Sequence, residues 1–176
     1  MVHHRSIELL FPLHENSTLI RTINQQDSSA IAALTVDAGL FPPEAIEFID
    51  EMMANYFNAH QADGHLCVVD DENGVLISVA YYEPALATDR TWYLTMIGVR
   101  RAHQGQGRGA ALMVYVEGTL KSAGERLLFV ETSGTPDFAR TRQFYAKLGY
   151  VEEARVRDYY APGDDMVLFR KVLNPE

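Results

Sequence analysis

The sequence predicts one α/β domain, a mixed sheet covered by helices, and three observations carry that expectation. The 176 residues are 47% hydrophobic and 22% charged, enough apolar material to bury a core without disulfides or metal. Hydrophobic periodicity switches between the strand and helix values in the order βααβββαβαββ. In the middle, an apolar strand-like run leads through Gln104-Gly105-Gln106-Gly107-Arg108-Gly109 into an amphipathic helix.

Residues 1–17 read as an N-terminal extension, where the adjacent His3 and His4 fit a frayed end better than a metal site. Residues 18–23 alternate as a first strand. Asp27 is placed as N-cap of a helix through Ala38, with Ile31 and Leu34 on one face and Gly39 as its stop. Pro42 and Pro43 start a second helix with Ile46, Ile49, Met53 and Phe57 at helical spacing, and Glu44, Glu47, Asp50 and Glu51 on its other face.

Residues 65–69 and 75–82 flank Asp71-Glu72-Asn73-Gly74 as a hairpin, and 91–99 form the next strand, favoured by Trp92 and Tyr93. The glycine segment opens a helix to about residue 123 that buries Leu112, Val116 and Leu120; Glu117 and Lys121 are read as an i,i+4 pair on its outer side. Residues 126–131 form a buried strand. Thr135 and Pro136 are read as N-cap and first residue of a helix to Leu148, stopped by Gly149. Strands near 154–160 and 166–172 enclose a Pro162-Gly163-Asp164-Asp165 turn.

Composition excludes some classes. A net charge of −9 disfavours a general nucleic-acid binder and tilts towards a cationic or neutral partner. No apolar run reaches the roughly 20 residues a membrane helix needs, and no signal peptide is read, since the run 7–13 is short and carries Glu8 and Pro12. Cys67 is the only cysteine, so no intrachain disulfide forms; it reads as a small buried hydrophobe in a cytoplasmic protein. A homo-oligomer is compatible with all of this.

The glycine segment carries the chemistry. At a strand–turn–helix junction, unpaired backbone N–H groups and the positive helix end point the same way, so they favour an anion. Glycine lets the backbone approach a phosphate closely. Gly105-x-Gly107-x-x-Ala110 also fits a dinucleotide fingerprint, with Glu131 near the expected distance. Against it, Arg100–Gln104 intervene after the strand, and the chain after Glu131 is too short for the remaining βαβ units. A P-loop fails because no Gly-Lys-Ser/Thr follows the glycines.

Gln104-x-x-Gly107-x-Gly109 resembles the Q/R-x-x-G-x-G/A signature of the GCN5-related N-acetyltransferases, the GNAT family. Residues 93–99 resemble that family's fourth strand, and Phe144-Tyr145-Ala146-Lys147-Leu148-Gly149-Tyr150 resembles its F-Y-x-x-x-G-[FY] segment. The element order matches from about 18 to 173. The resemblance implies a single domain over 18–176, with a mixed, mostly antiparallel sheet of about seven strands, four helices, and strands 4 and 5 splayed. It implies acetyl-CoA as cosubstrate, no metal, and transfer of acetyl to an amine.

Several roles follow from the same resemblance. The N–H groups of Gln104, Gly105, Gln106, Gly107, Arg108, Gly109 and Ala110 would meet the pyrophosphate. The side chains of Arg100, Arg101 and Arg108 could add charge, although each also reads as a solvated loop or helix-end residue. Ile97 N–H would face the thioester oxygen, Val99 would hold the pantetheine arm through its backbone, and Gly98 between them suits an irregular strand. Tyr145 would be the acid that protonates the leaving thiolate, though Phe138, Tyr145 and Leu148 share a face and packing alone would also explain it.

Glu131 and Glu83 are candidate bases, each equally readable as a surface carboxylate. The family's fourth-strand glutamate is Tyr93 here, and its asparagine seven residues before the tyrosine is Phe138. The acidic second helix is expected beside the acceptor channel and hints at a small cationic amine. Arg157-Asp158-Tyr159-Tyr160 instead resembles the final hairpin of ribosomal-protein alanine acetyltransferases, which act on a peptide amine. A non-catalytic acyl-CoA sensor on the same fold is the competing class.

Overall fold

The structure is a computed structural model and describes residues 18–174. The expected extension and the His3-His4 pair lie outside the described residues. Seven strands form one sheet in the order β1-β2-β3-β4-β5-β7-β6. They are β1 (Thr18–Thr22), β2 (Leu66–Glu72), β3 (Val75–Pro84), β4 (Thr91–Val99), β5 (Leu127–Ser133), β6 (Val151–Ala161) and β7 (Asp164–Val172). Only β4 and β5 run parallel. The four helices are α1 (Ser28–Asp37), α2 (Ile46–Asn55), α3 (Arg108–Ser122) and α4 (Ala139–Lys147), in the expected order.

Strand alternation divides the core between the two faces of the sheet. One cluster joins Val68, Ala80, Tyr82, Trp92 and Leu94 to Leu112, Val116 and Leu120 of α3 and Tyr145 of α4. The other joins Cys67, Val69, Val79, Tyr81 and Met96 to Ile31 and Leu34 of α1 and Met53 of α2. Cys67 is fully buried, and burial pushes its thiol far above the ordinary range, as expected of a packing residue.

Several local expectations are corrected. Asp27 does stand at the N-cap position of α1, but its side chain makes no cap bond there; the helix is entered through a 3₁₀ turn, Gln25–Asp27, which Asn24 caps. The Asp27 carboxylate accepts from Asn24 N–H at 2.8 Å and pairs with Arg21, so it closes a capping box while tying β1 to the turn. Arg21 holds that carboxyl below the usual aspartate range. The second helix ends in a π turn, Tyr56–His60, where Tyr56 is fully buried and Phe57 only half-buried. Ile46, expected in the core, is exposed.

Glu117 does not face outward with Lys121. It is buried, accepts from Tyr150 Oη at 3.0 Å, and pairs with Lys171 Nζ at 2.6 Å, linking α3 to β7. Thr135 caps a 3₁₀ turn, Pro136–Phe138, without a side-chain bond to it, because its hydroxyl meets Ser133 Oγ at 2.8 Å instead.

Candidate active site

The site begins where β4 leaves β5. The parallel pairing runs from Thr91 opposite Leu127 to Leu94 opposite Val130, and stops there. At the same point Thr95 is a bulge against β3, since Tyr82 pairs with Leu94 while Tyr81 pairs with Met96. The extra residue reverses the alternation: Trp92 and Leu94 face α3, whereas Met96 faces α1 and α2, and Ile97 packs on the α3 side.

The bulge also fixes where the backbone of residues 96–100 points. Arg100 N–H bonds Ile77 O at 2.9 Å, so Gly98 and Met96 share that direction towards β3. Ile97 and Val99 therefore present N–H and C=O to the side that β5 has left. Gly98 is glycine for a different reason from the one expected. A Cβ there would lie 2.6 Å from Leu40 Cδ1, so the loop after α1 packs directly on β4, and the irregularity itself sits at Thr95.

Beyond β4, a 3₁₀ turn over Arg101–His103 leads to the glycine segment. Gly105 and Gly107 have φ of 74° and 84°, the left-handed region, and a Cβ at either would meet nothing within 4 Å. Gly107 is the N-cap of α3 and its carbonyl accepts the first helical bond, from Ala111 N–H at 2.9 Å. By helix geometry the N–H groups of Arg108, Gly109 and Ala110 have no partner within the helix. A Cβ on Gly109 would touch the Phe144 ring at 3.4 Å and Val99 Cγ2 at 3.5 Å, so the two resembling segments are packed together.

The side chains around this cradle brace it. Gln104 Nε2 donates to Val99 O at 3.0 Å and Gln106 Nε2 to Ala102 O at 2.9 Å. The three arginines that could have added charge are held by the protein. Arg108 pairs with the buried Asp70 at 3.1 Å and with Glu72, fastening the start of α3 to β2. Arg101 Nε donates to Asp37 O at 2.9 Å, and Arg100 Nε to Leu76 O at 2.6 Å. An anion here would be met by backbone N–H groups, with open space over Gly105 and Gly107.

A cavity of about 410 Å³ lies across the splay, lined by Glu83, Tyr93, Leu94, Thr95, Glu131 and Tyr160. Both candidate bases are thus brought together, from the ends of β3 and β5. Tyr93 stacks on Phe129 with ring centroids 5.6 Å apart, and Tyr159 meets Tyr160 edge-on at 5.0 Å. Burial, and then the Glu131 charge, raise the phenols of Tyr93 and Tyr160 above their ordinary value. No carboxylate of the acidic second helix lines this cavity; Asp50 borders a separate one of about 380 Å³ between α1 and α2.

Tyr145 is not among the residues lining the cavity with Glu83 and Glu131. It is 3% exposed, in the same buried cluster as Leu94 and Val130, the last paired residues before the splay. Its ring packs against Phe144, Tyr150 and Phe169, and burial alone pushes its phenol well above the ordinary value. Sequence reasoning missed His65 and Tyr81, which stand behind Glu83. His65 Nδ1 lies 3.1 Å from Glu83 Oε2 and 2.9 Å from Tyr81 Oη.

The acetyltransferase (GNAT) family profile matches residues 32–150, more than half of the chain. The chain belongs to the GNAT acetyltransferase family. A protein from Desulfovibrio desulfuricans placed in that family superposes with a TM-score of 0.83 at 31% identity, over 90% of this chain and all of that one. The ribosomal-protein-S18-alanine N-acetyltransferase of Escherichia coli shares the fold at 21% identity and TM-score 0.75, over 91% of this chain and 96% of that one. So does a Salmonella typhimurium protein solved with its cofactor acetyl-CoA, at 22% identity and TM-score 0.75, over 92% and 96%. No significant match was found among curated proteins.

As a GNAT acetyltransferase, the protein uses acetyl-CoA as its cosubstrate. Among the described residues no group of three His, Cys, Asp or Glu side chains could hold a metal ion, and no helix is long and apolar enough to cross a membrane.

Proposed function

We propose that the enzyme transfers acetyl directly from acetyl-CoA to a primary amine bound in the cavity between β3, β4, β5 and β6, with a small cationic amine as the favoured acceptor. The observation that carries this is the pairing of Glu83 and Glu131 in one cavity beside the splay. Two carboxylates there attract an ammonium group and offer an acceptor for its proton, which an amine must lose before it can attack. The preference for a cationic acceptor therefore rests on these two residues and not on the second helix.

Acetyl-CoA supplies the activated acyl group. The protein supplies placement: the N–H groups from Gly105 to Ala110 receive phosphate, that of Gln104 already donating to Arg101 O at 3.3 Å, while Val99 offers backbone bonds to the pantetheine arm and Ile97 N–H stabilises the oxygen on which charge develops. Tyr145 provides the proton for the departing thiolate. Burial raises the phenol's pKa and so makes it a weaker acid towards a thiolate, which leaves the role to depend on how the hydroxyl is positioned against the sulfur. A peptide N-terminus is the second reading, favoured by Tyr160 at the cavity wall with the Tyr159 ring edge-on to it.

The test is thiol release from acetyl-CoA across polyamines, aminoglycosides and alanyl peptides, with mass detection of the acetylated product. Turnover with a polyamine or aminoglycoside supports the cationic reading, and turnover only with peptides replaces it by the second. Tyr145→Phe is expected to lower kcat about a hundredfold, the low end for a positioned acid. Wild-type turnover in that variant removes Tyr145 from the mechanism.

A further inference from the structure

Three titratable side chains, His60, His65 and Tyr81, converge on Glu83 behind the cavity, and none of the three has a role in the reading above. His65 Nδ1 sits between Glu83 Oε2 at 3.1 Å and Tyr81 Oη at 2.9 Å. Tyr81 Oη in turn lies 3.4 Å from Nδ1 of His60. The two imidazoles face each other, with centroids 4.8 Å apart. His60 ends the π turn after α2, His65 precedes β2, and Tyr81 and Glu83 lie on β3. Across the sheet Tyr93 lies opposite Glu83 on β4, and Glu131 and Tyr160 face it across the cavity.

Acetyl transfer leaves one proton to dispose of. The amine enters as R–NH₃⁺; the N–C bond forms, the C–S bond breaks, and the nitrogen loses two protons in all. The thiolate sulfur takes one. The other must leave the cavity on every turnover, and a carboxylate that keeps it cannot act again.

We infer that Glu83 is the base and that His65, assisted by Tyr81 and His60, is the positioning residue that carries this proton away from it. The inference rests on the acetyltransferase reading and assigns one of its two carboxylates. With Nδ1 unprotonated, Tyr81 donates its O–H to it. When Glu83 has taken the amine's proton, the proton passes to Nδ1, which then donates back to the carboxylate, while the Tyr81 hydroxyl turns to His60 Nδ1. The imidazolium gives its Nε2 proton to solvent, and exchange with water restores the starting tautomer. Burial, then the Glu83 charge, push the Tyr81 phenol far up, so it remains a neutral hydroxyl able to reorient. Both histidines are half-buried, so each retains contact with solvent. Glu131 has no imidazole among its hydrogen-bond or ion-pair partners in the described structure and serves to attract the cation.

The test compares steady-state acetylation by wild type, Glu83→Gln, His65→Gln, His65→Ala and Tyr81→Phe, each first shown to melt cooperatively and to keep its stabilisation by acetyl-CoA. In His65→Gln, kcat is expected to fall about ten- to a hundredfold, with the KM for acetyl-CoA within about twofold of wild type. In His65→Ala, kcat is expected to rise with the concentration of imidazole buffer at fixed pH, whereas wild type does not respond. The fall of wild-type kcat towards acid is expected to be lost in His65→Gln. Losses that ignore imidazole and leave the pH profile parallel to wild type overturn the inference, as does full activity in Glu83→Gln. Wild type that acetylates no amine overturns the acetyltransferase reading itself, and that result is seen before any variant is compared.

Discussion

The two halves of the site are built from different material. The cofactor half is backbone: it consists of a strand freed of one neighbour, two glycines in the left-handed region, and the first turn of α3. Its arginines are engaged elsewhere, with Arg100, Arg101 and Arg108 all bonded to the protein. The acceptor half is side chain: Glu83, Tyr93, Glu131 and Tyr160 arrive from four strands. A backbone cradle tolerates sequence change and suits a cosubstrate common to a whole family. A cavity made of side chains is where specificity can differ.

That contrast makes predictions of decreasing size. Ile97→Pro removes an N–H that points into the splay and contributes nothing to the β3 ladder. It is expected to lower kcat by about 10²–10³, the usual loss of one oxyanion donor, whereas Ile97→Ala stays near wild type in the thiol-release assay. Normal turnover in the proline variant would break the backbone account of the cofactor half.

Arg108→Ala sharpens it from the other side. If this arginine is a fastener and not a phosphate ligand, removing it leaves Asp70 buried and unpaired. The expected loss is about 3 kcal/mol, or about 6–12 °C in the thermal midpoint of a domain this size, with acetyl-CoA affinity in the folded protein changed less than about tenfold. A large loss of affinity without loss of stability would return Arg108 to the phosphate. Smallest is Gln104→Ala, which removes one brace on the Val99 carbonyl. A single hydrogen bond of about 0.5–1 kcal/mol corresponds to a two- to fivefold rise in the KM for acetyl-CoA.

The same contrast explains what could be read from the sequence. Strand, glycine turn and helix are contiguous, so 93–110 was legible as a cradle; its packing against Phe144 was not, because the two segments are distant in sequence. The element order was legible throughout because each run kept its own period. The pairing of His65 with Glu83 was not. It follows from a hairpin register in which Leu66 lies opposite Tyr82, and that register depends on a bulge at Asp70/Asp71. Counting back from the Asn73-Gly74 turn without that extra residue puts His65 against the wrong neighbour. Thr95 hid in the same way, since a bulge residue carries no mark in composition. Glu117 was misplaced because its partners, Tyr150 and Lys171, come from distant elements, and a helix-local charge rule cannot see them.

The most direct measurement is the thermal midpoint with saturating acetyl-CoA, taken on wild type and on the double variant Glu83→Gln/Glu131→Gln, with NAD as the comparison ligand. At about 100 times the dissociation constant, a ligand adds roughly 2.7 kcal/mol. If the cofactor half is a backbone cradle independent of the acceptor carboxylates, acetyl-CoA raises both midpoints by the same amount and NAD raises neither. No rise in wild type, or a rise lost in the double variant, would contradict that division.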